Sequence, residues 1–268
     1  MKSSHSDLPA EFAEALDRAR PQLGRLATAV RFYETAASTN DIAAAMAASG
    51  GREGTVVFAD TQTAGRGRRG HTWFSPPASG LYVSVVLSPS RARVAPDRAV
   101  ALLTLTAGVA IVEAIERTTG LSADLKWPND LYVGRRKLAG ILAEAIEFKQ
   151  VVLGYGVNVG KMSYPPELAE RATALEVELG RAIDRAALFA ETLVALARRY
   201  DDLLTGRFDA ILDDWRARSP GCRGARVSWT AASGLRSGVT AGIDDHGALL
   251  VQSGDAIERI VAGELNWY

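Results

Sequence analysis

The segment Gly65-Arg66-Gly67-Arg68-Arg69-Gly70 is followed closely by two consecutive prolines, Pro76 and Pro77, and these prolines restrict the fold in which the segment can lie. By its letters the segment matches the GxGxxG fingerprint of a dinucleotide site, whose glycines open a helix. Proline lacks a backbone N–H and excludes helical conformation from the residue before it, so no helix can run through this stretch. The sequence therefore predicts a loop between two strand-like runs, at residues 55–60 and 81–87, and not a Rossmann site.

The loop carries three arginines, which suits an anion that has to be enclosed. Two other interpretations fit the same residues, namely a solvated basic loop and a fragment of an RGG-type nucleic-acid-binding tail. However, the chain has 31 basic and 31 acidic side chains, whereas proteins that bind phosphate backbones usually have a basic excess. The charge balance argues against bulk nucleic-acid binding, and we expect no nucleic-acid partner.

Composition excludes several other classes of protein. The 268 residues are 47% hydrophobic, enough for one sizeable core plus a small appended domain. The single cysteine, Cys222, rules out an intrachain disulfide and fits a reducing compartment. There is no HExxH, GxSxG or GxxxxGK[ST] pattern, no apolar signal-peptide segment near the N-terminus, and the longest uncharged run, 99–112, is too short to span a bilayer. We expect a soluble cytoplasmic protein with no membrane partner.

The chain divides into three parts by pattern. Residues 1–29 form a short leader that we expect to be helical, residues 30–220 a catalytic domain, and residues 221–268 a small antiparallel barrel of short alternating strands. Within the middle part, long helices are predicted from Pro96 to about Gly120 and over residues 184–204.

Ser38-Thr39-Asn40-Asp41 precedes an alanine-rich helical run and has two interpretations. Ser38 followed three residues later by Asp41 is a capping-box arrangement. A helix N-terminus also offers free N–H groups to a polar ligand. The pattern alone leaves both open.

A second polar block, Lys126-Trp127-Pro128-Asn129-Asp130, is followed by the run Lys137–Leu142. Singly, each residue has a structural explanation in turn chemistry or solvated charge. Apolar residues in and beyond the run fit a helical period, but Gly140 weakens that prediction. Arg66, Arg68, Lys126 and Lys137 all lie beside element ends, and their convergence on one pocket would stabilise a phosphoryl- or nucleotidyl-transfer transition state.

Taken in order, these motifs resemble those of the biotin protein ligases. The matching segments are Ser38-Thr39-Asn40, Gln62–Gly70 with Trp73, Lys126–Asp130, Lys137–Leu142 with Glu144, and Gly156-Val157-Asn158-Val159. The resemblance implies an α+β fold, a mixed β-sheet flanked by helices as in class II synthetases, with a small C-terminal SH3-like β-barrel. Residues 137–142 are then a strand despite their helical period.

The resemblance implies ATP and biotin as substrates, Mg²⁺ as cofactor with unassigned ligands, and biotinyl-5′-adenylate as intermediate. The partner would be the biotin carboxyl carrier domain of a biotin-dependent carboxylase, and the protein a monomer or homodimer. The leader is too short for an independent DNA-binding domain, so we expect a monofunctional ligase with no transcriptional repressor role.

Site residues follow from the same resemblance. The biotin site would comprise Ser38, Thr39, Asn40, Gln62, Gly65, Arg66, Gly67, Arg68, Lys137, Gly140 and Gly156. The ATP and adenylate site would comprise Arg68, Arg69, Trp73, Lys126, Asn129, Lys137 and Asn158. The catalytic set would be Lys137, Arg66, Arg68 and Asp130, with Asp130 orienting or deprotonating the carrier lysine.

Three rivals remain at this stage. A lipoate-type ligase shares the catalytic strategy, but a lipoyl pocket is largely apolar where Ser38, Thr39 and Gln62 would meet the ureido ring. The second rival is a nucleic-acid-binding protein that uses the arginine loop. The third is a degenerate ligand-binding relative, and the intact Lys137 and Arg68 argue against this third interpretation.

Overall fold

The computed structural model describes residues 5–146, 150–231, 234–263 and 265–268. Its larger sheet has the strand order β1-β2-β3-β7-β6-β5-β4. The strands are β1 Ala29–Ala36, β2 Thr55–Gln62, β3 Gly80–Leu87, β4 Asp124–Lys126, β5 Asp130–Val133, β6 Arg136–Ala145 and β7 Val151–Asn158. β1 and β2 pair in parallel and the other neighbours are antiparallel, so the sheet is mixed.

The helices are α1 Ala10–Ala19, α2 Thr39–Ala48, α3 Pro96–Thr119, α4 Pro166–Ala169, α5 Leu175–Leu179, α6 Arg185–Leu204 and α7 Phe208–Ala217. α3 begins with a proline in its first turn and ends at Gly120, which has the left-handed φ of 78°. α3 is long and apolar enough to cross a membrane, but its most apolar window is 78% buried inside the protein. It is the central core helix.

The two faces of the sheet have different coverings because successive side chains in a strand point to opposite sides. On β2, Val56 and Phe58 join the main core with α1, α3, α6 and α7. Val57 and Ala59 face the other way and pack in a smaller cluster with Ala43 and Ala47 of α2. Since α2 covers only part of this second face, the remainder is open to form a site.

A second, antiparallel sheet follows along the chain, with the order β11-β10-β9-β8-β12. Its strands are β8 Arg223–Ala231, β9 Gly234–Ile243, β10 Leu249–Ser253, β11 Ala256–Ile260 and β12 Leu265–Trp267. The indole Nε1 of Trp127 donates a hydrogen bond to the carbonyl of Gly247 at 2.9 Å. This bond ties the smaller sheet to the polar block of the larger one.

The predicted fold class is confirmed: a mixed sheet flanked by helices, followed by a small antiparallel β unit. Residues 137–142 lie in a strand, β6, as the resemblance implied and against their helical period.

The capping-box interpretation is wrong in its hydrogen bond, because Ser38 is the N-cap residue of α2 but its side chain accepts no cap bond. Gln62 replaces it, since its Oε1 accepts from the backbone N of Thr39 at 2.9 Å. The sequence patterns did not predict β12.

Candidate active site

A cavity of about 670 Å³ opens on the sheet face that α2 leaves uncovered. Its wall is formed by the start of α2, the loop that follows β2, parts of β4 to β7, and the end of the chain. A volume of this size is typical of a small-molecule site and can hold more than one ligand. The predicted residues on its wall are Ser38, Thr39, Asn40, Gln62, Arg66, Gly67, Arg68, Arg69, Trp73, Lys126, Asn129, Asp130, Lys137, Gly140 and Gly156.

The floor of the cavity consists of glycine backbone. A Cβ on Gly154 would lie 2.0 Å from Asn40 Oδ1, and a Cβ on Gly156 would lie 2.3 Å from Trp73 Nε1. On the neighbouring strand, a Cβ on Gly140 would lie 3.0 Å from Trp73 Cζ3. A side chain at residue 154 or 156 would displace Asn40 or Trp73, so these two positions require glycine for space and not for backbone conformation, and Gly140 is only slightly less crowded.

One end of the cavity is a buried polar network. Ser84 Oγ, on β3, lies 2.8 Å from Thr39 Oγ1 and 2.6 Å from Asn40 Oδ1. Gln62 accepts from Thr39 through its Oε1 and donates from Nε2 to Ser75 Oγ at 2.9 Å. Ser38, at the start of α2, is buried beside them and also lines the cavity. These donors and acceptors can hydrogen-bond a small polar group from several sides.

The loop after β2 folds back on itself as an irregular hairpin. Arg66 and Thr72 form an isolated antiparallel bridge, and Trp73 N donates to Gly65 O at 2.9 Å. Between them Arg68–Gly70 makes a short 3-10 turn, in which Arg69 takes the left-handed φ of 55°. The hairpin lays the indole of Trp73 over the glycine floor, where its Nε1 is buried with no acceptor among the described residues.

Arg66 anchors this hairpin to the rest of the site. Its NH2 lies 2.9 Å from Asp41 Oδ1 on α2 and 2.5 Å from Glu144 Oε2 on β6. Glu144 also accepts from Asn40 Nδ2 at 2.8 Å. We call Arg66, Asp41 and Glu144 the arginine latch, because they connect the hairpin, α2 and β6 through charge.

Lys137 lies on the cavity wall between Asp130 and the indole of Trp73. Its Nζ lies 2.7 Å from Asp130 Oδ1 and 5.5 Å from the centroid of the Trp73 ring. The Asp130 approach is a charge contact without the alignment of a hydrogen bond, since Oδ1 has no hydrogen-bond partner. Asp130 itself is 21% exposed, so a ligand in the cavity can reach it.

Arg68 and Asn129 form the wall beside Lys137. Arg68 NH1 donates to Asn129 Oδ1 at 3.1 Å, and Asn129 Nδ2 donates to the carbonyl of Ile141 at 2.7 Å. Burial lowers the pKa of Arg68 from its usual value, although Asp130 opposes the shift. Arginine nevertheless stays charged at neutral pH, so Arg68 supplies a fixed cation.

Lys126 lies between two aromatic rings at the other end of the cavity. Its Nζ is 4.5 Å from the ring centroid of Tyr132 and 5.3 Å from that of Trp267. Burial lowers the pKa of Lys126, with further lowering from Lys137 and Arg171 and an opposite effect from Asp130. Burial also raises the pKa of Tyr132 to about 12, so this ring stays neutral.

Two predicted residues do not line the cavity. Gly65 lies at the base of the hairpin, opposite Trp73, where a Cβ would meet Trp73 O at 2.5 Å. Asn158, predicted near the adenine, is buried and donates to the carbonyl of Thr173 at 2.9 Å. That bond supports the segment 171–173, which pairs with Lys137. The backbone N of Lys137 donates to Arg171 O.

Sequence reasoning missed several cavity residues. Arg171 and Trp267 line the wall but lie far along the chain from the motifs. Ser84 does not line the cavity but hydrogen-bonds Thr39 and Asn40, which do. A sequence signal for it existed, because apart from Tyr82 it is the one polar residue in the hydrophobic run Leu81–Leu87. No pattern around Arg171 or Trp267 indicates a site.

Among the described residues no group of three or more His, Cys, Asp or Glu side chains could hold a metal ion alone. Asp130 is the one carboxylate on the described cavity wall. Mg²⁺ needs few protein ligands when substrate phosphates and water complete its shell. This wall therefore fits a cation that arrives bound to phosphates and does not fit a preformed metal cage.

Comparison with known proteins gives matches over most of the chain. The sequence model of the biotin/lipoate A/B protein ligase family matches residues 32–158. The chain is 35% identical to the bifunctional ligase/repressor BirA of Bacillus subtilis over 240 residues, 87% of this chain and 72% of that protein. It is 35% identical to the biotin--[acetyl-CoA-carboxylase] ligase of Mycobacterium tuberculosis over 234 residues, 85% of each.

Among solved structures, the biotin protein ligase from Aquifex aeolicus in complex with biotin and ATP is similar with a TM-score of 0.78. The sequence identity is 27%, and the match covers 90% of this chain and 99% of that one.

Proposed function

This chain belongs to the biotin protein ligases, and on that premise we propose that it joins biotin to ATP as biotinyl-5′-adenylate and then biotinylates one lysine of a carboxylase carrier domain. The observation that carries the proposal is the division of one cavity into a buried polar end and a cationic end. The first suits a neutral polar ring and the second suits phosphates.

The polar end supports biotin as the acyl substrate. A ureido ring presents one carbonyl and two N–H groups, and the Ser38 hydroxyl, the Thr39 hydroxyl and the Gln62 amide on the cavity wall offer complementary donors and acceptors. A lipoyl group has no donors or acceptors to match this polar end, and burying an apolar group against it would remove water from these polar atoms without replacing its hydrogen bonds. The site therefore favours biotin over lipoate, and the glycine floor leaves a narrow path for the acyl chain.

The cationic end supports adenylate chemistry. In the first step a carboxylate oxygen of biotin attacks the α-phosphorus of ATP, the bond to the bridging oxygen breaks, and pyrophosphate leaves. Attack and departure both place negative charge near Lys137, Arg68 and Lys126, which stabilise it with fixed positive charge. Mg²⁺ bound to the phosphates, with Asp130 as the available carboxylate, would neutralise more of that charge.

The hairpin acts as a lid in this proposal. An acyl adenylate is hydrolysed by water, so the enzyme has to exclude water until the carrier arrives. Trp73 covers the floor and the arginine latch holds the hairpin down.

The second step transfers the biotinyl group to the carrier. The amine of the carrier lysine attacks the acyl carbon, AMP leaves, and the amine loses a proton. Asp130 is our candidate for orienting the amine or accepting that proton, because it lies on the cavity wall beside Lys137.

One assay, run under three conditions, tests the proposal. Purified protein is mixed with biotin, Mg²⁺-ATP and an active carrier domain from a biotin-dependent carboxylase, and the carrier's intact mass is measured. We expect the mass of one added biotinyl group, its absence when ATP is omitted, and no lipoyl adduct when lipoate replaces biotin. An active carrier that gains no biotin would overturn the assignment.

A further inference from the structure

The ammonium group of Lys126 is held without a carboxylate partner. Within the described residues no Asp or Glu oxygen lies within ion-pair distance of its Nζ, whereas Lys137 has Asp130 at 2.7 Å. Instead the rings of Tyr132 and Trp267 lie on it at 4.5 and 5.3 Å. A ring attracts a cation through its negative face but carries no net charge, so it positions the ammonium without neutralising it.

The two rings come from different parts of the fold. Tyr132 lies on β5, two residues beyond Asp130, whereas Trp267 lies at the end of β12, the edge strand of the smaller sheet. β12 is fixed by its pairing with β8, in which Trp267 is opposite Val227, and by the bond from Tyr268 N to Arg226 O at 3.0 Å. The smaller sheet thus brings a rigid aromatic wall to the cavity.

A holding device is needed at this point because Lys126 has cationic neighbours. Arg171 and Lys137 repel it, and both share its part of the wall. Without the rings, a flexible four-carbon side chain would move away from these charges toward solvent. With them, the ammonium stays in the cavity without an acidic partner, where a phosphate can bind it.

From this geometry we infer that Trp267 is a positioning residue for ATP, holding Lys126 through a cation–π contact in the place where the nucleotide phosphates bind. The inference rests on the proposed function and deepens it at the nucleotide side only. It assigns part of the ATP affinity to the last strand of the chain.

The matched variants are Trp267→Phe, which keeps an aromatic face, and Trp267→Leu, which keeps apolar volume without one. Trp267 also packs partly against the core, so both variants are first checked for folding by thermal unfolding.

Binding of α,β-methylene-ATP and of biotin to each variant is then measured by calorimetry. We expect Trp267→Leu to weaken the nucleotide analogue about five- to tenfold, Trp267→Phe to weaken it less than about twofold, and neither to alter biotin affinity by more than about twofold. Tyr132→Leu, which removes the opposite ring, should resemble Trp267→Leu and serves if that variant does not fold.

A double-mutant cycle separates positioning from direct stacking on the nucleobase. If Trp267 acts through Lys126, Trp267→Leu should have no further effect on analogue binding in a Lys126→Met protein. An undiminished effect in that background, unchanged binding by Trp267→Leu, or equal losses by Phe and Leu would each overturn the inference. Failure of the wild-type protein to biotinylate a carrier would instead reject the proposed function, since these binding measurements do not depend on turnover.

Discussion

The indole of Trp73 lies so close to the backbone of Gly156 that a Cβ added at residue 156 would stand 2.3 Å from the indole Nε1. Replacing Gly156 by alanine should therefore lift the hairpin from the floor and narrow the path for biotin. We expect about a five- to hundredfold loss of biotin affinity by calorimetry, since overpacking costs about 1–3 kcal/mol. Gly160→Ala is the control, because its Cβ would have an ordinary contact at 3.4 Å. Equal biotin affinity in both variants would show that Trp73 does not rest here when biotin binds.

Lys137 and Arg68 should each be needed for adenylate formation. Replacing either by alanine removes a fixed cation from the side of the developing negative charge. We expect biotin-dependent pyrophosphate release to fall at least about tenfold, equivalent to about 1.4 kcal/mol. Lys161, an exposed lysine off the described cavity wall, gives the control Lys161→Ala. Parental rates in the Lys137 and Arg68 variants would reject their proposed roles.

The arginine latch should control how long the adenylate is retained. Asp41→Asn with Glu144→Gln removes both charges that hold Arg66, whose side chain is 41% exposed. Because partly exposed ion pairs contribute at most about 1 kcal/mol each, the loss of two pairs should make biotinyl-adenylate dissociate up to about thirtyfold faster. Rapid dilution of radiolabelled complex measures this rate, with the surface-pair variant Asp17→Asn as control. A rate that does not change would mean that the latch has no part in retention.

Asp130 can act in either step, and Asp130→Asn separates the two. If its carboxylate takes the proton of the carrier lysine, transfer from preformed biotinyl-adenylate should slow by at least about a hundredfold. Pyrophosphate release should change much less. Single-turnover transfer measures the first quantity, and Asp124→Asn on the exposed part of β4 is the control. Equal slowing of both steps would instead make Asp130 a positioning residue for Lys137.

Acid stability should depend on Glu113 of α3. Burial opposes ionisation of this carboxyl, but hydrogen bonds and charge from Arg199 and Arg198 outweigh it and lower its pKa below the usual value. A lowered folded-state pKa stabilises the protein above the unfolded-state pKa, near about 4.3, and the benefit is lost as pH falls through the folded-state value.

Glu113→Gln should therefore reduce the free energy of unfolding by about 2–4 kcal/mol at pH 7, with a smaller difference from wild type below about pH 4. Urea denaturation at both pH values measures this. Glu116→Gln, which affects a looser pair with Arg218 at 3.6 Å, should cost less than about 1 kcal/mol. A Glu113→Gln deficit that stays constant with pH would argue against the charge explanation.

Local signals predicted most of the fold. Prolines excluded the helix after Gly70, and caps and apolar spacing predicted α3 and α6. Residues 137–142 were harder, because burial on both sides of a strand imitates a helical period and Gly140 serves a contact with Trp73 that no local pattern reports. The resemblance, and not the periodicity, gave the correct strand.

The site was predictable where its residues lie in compact motifs and not where tertiary structure assembles it. The pairing of Arg66 with Glu144 joins residues 78 positions apart. Arg171 reaches the cavity because its backbone pairs with Lys137, and Trp267 because a separate sheet carries it there. Asn158 is the opposite case, a motif residue that does not reach the cavity. Its side-chain amide donates a hydrogen bond to a backbone carbonyl instead.

The glycine floor also limits how this protein can be altered. Gly140, Gly154 and Gly156 already have the smallest side chain that exists, so no substitution at these positions can widen the cavity above the glycine floor. Substitutions there can only exclude ligands, never admit larger ones. Room for a bulkier biotin analogue would have to come from the opposite side, by shortening Trp73, and any such gain would thin the cover that keeps water from the reactive intermediate.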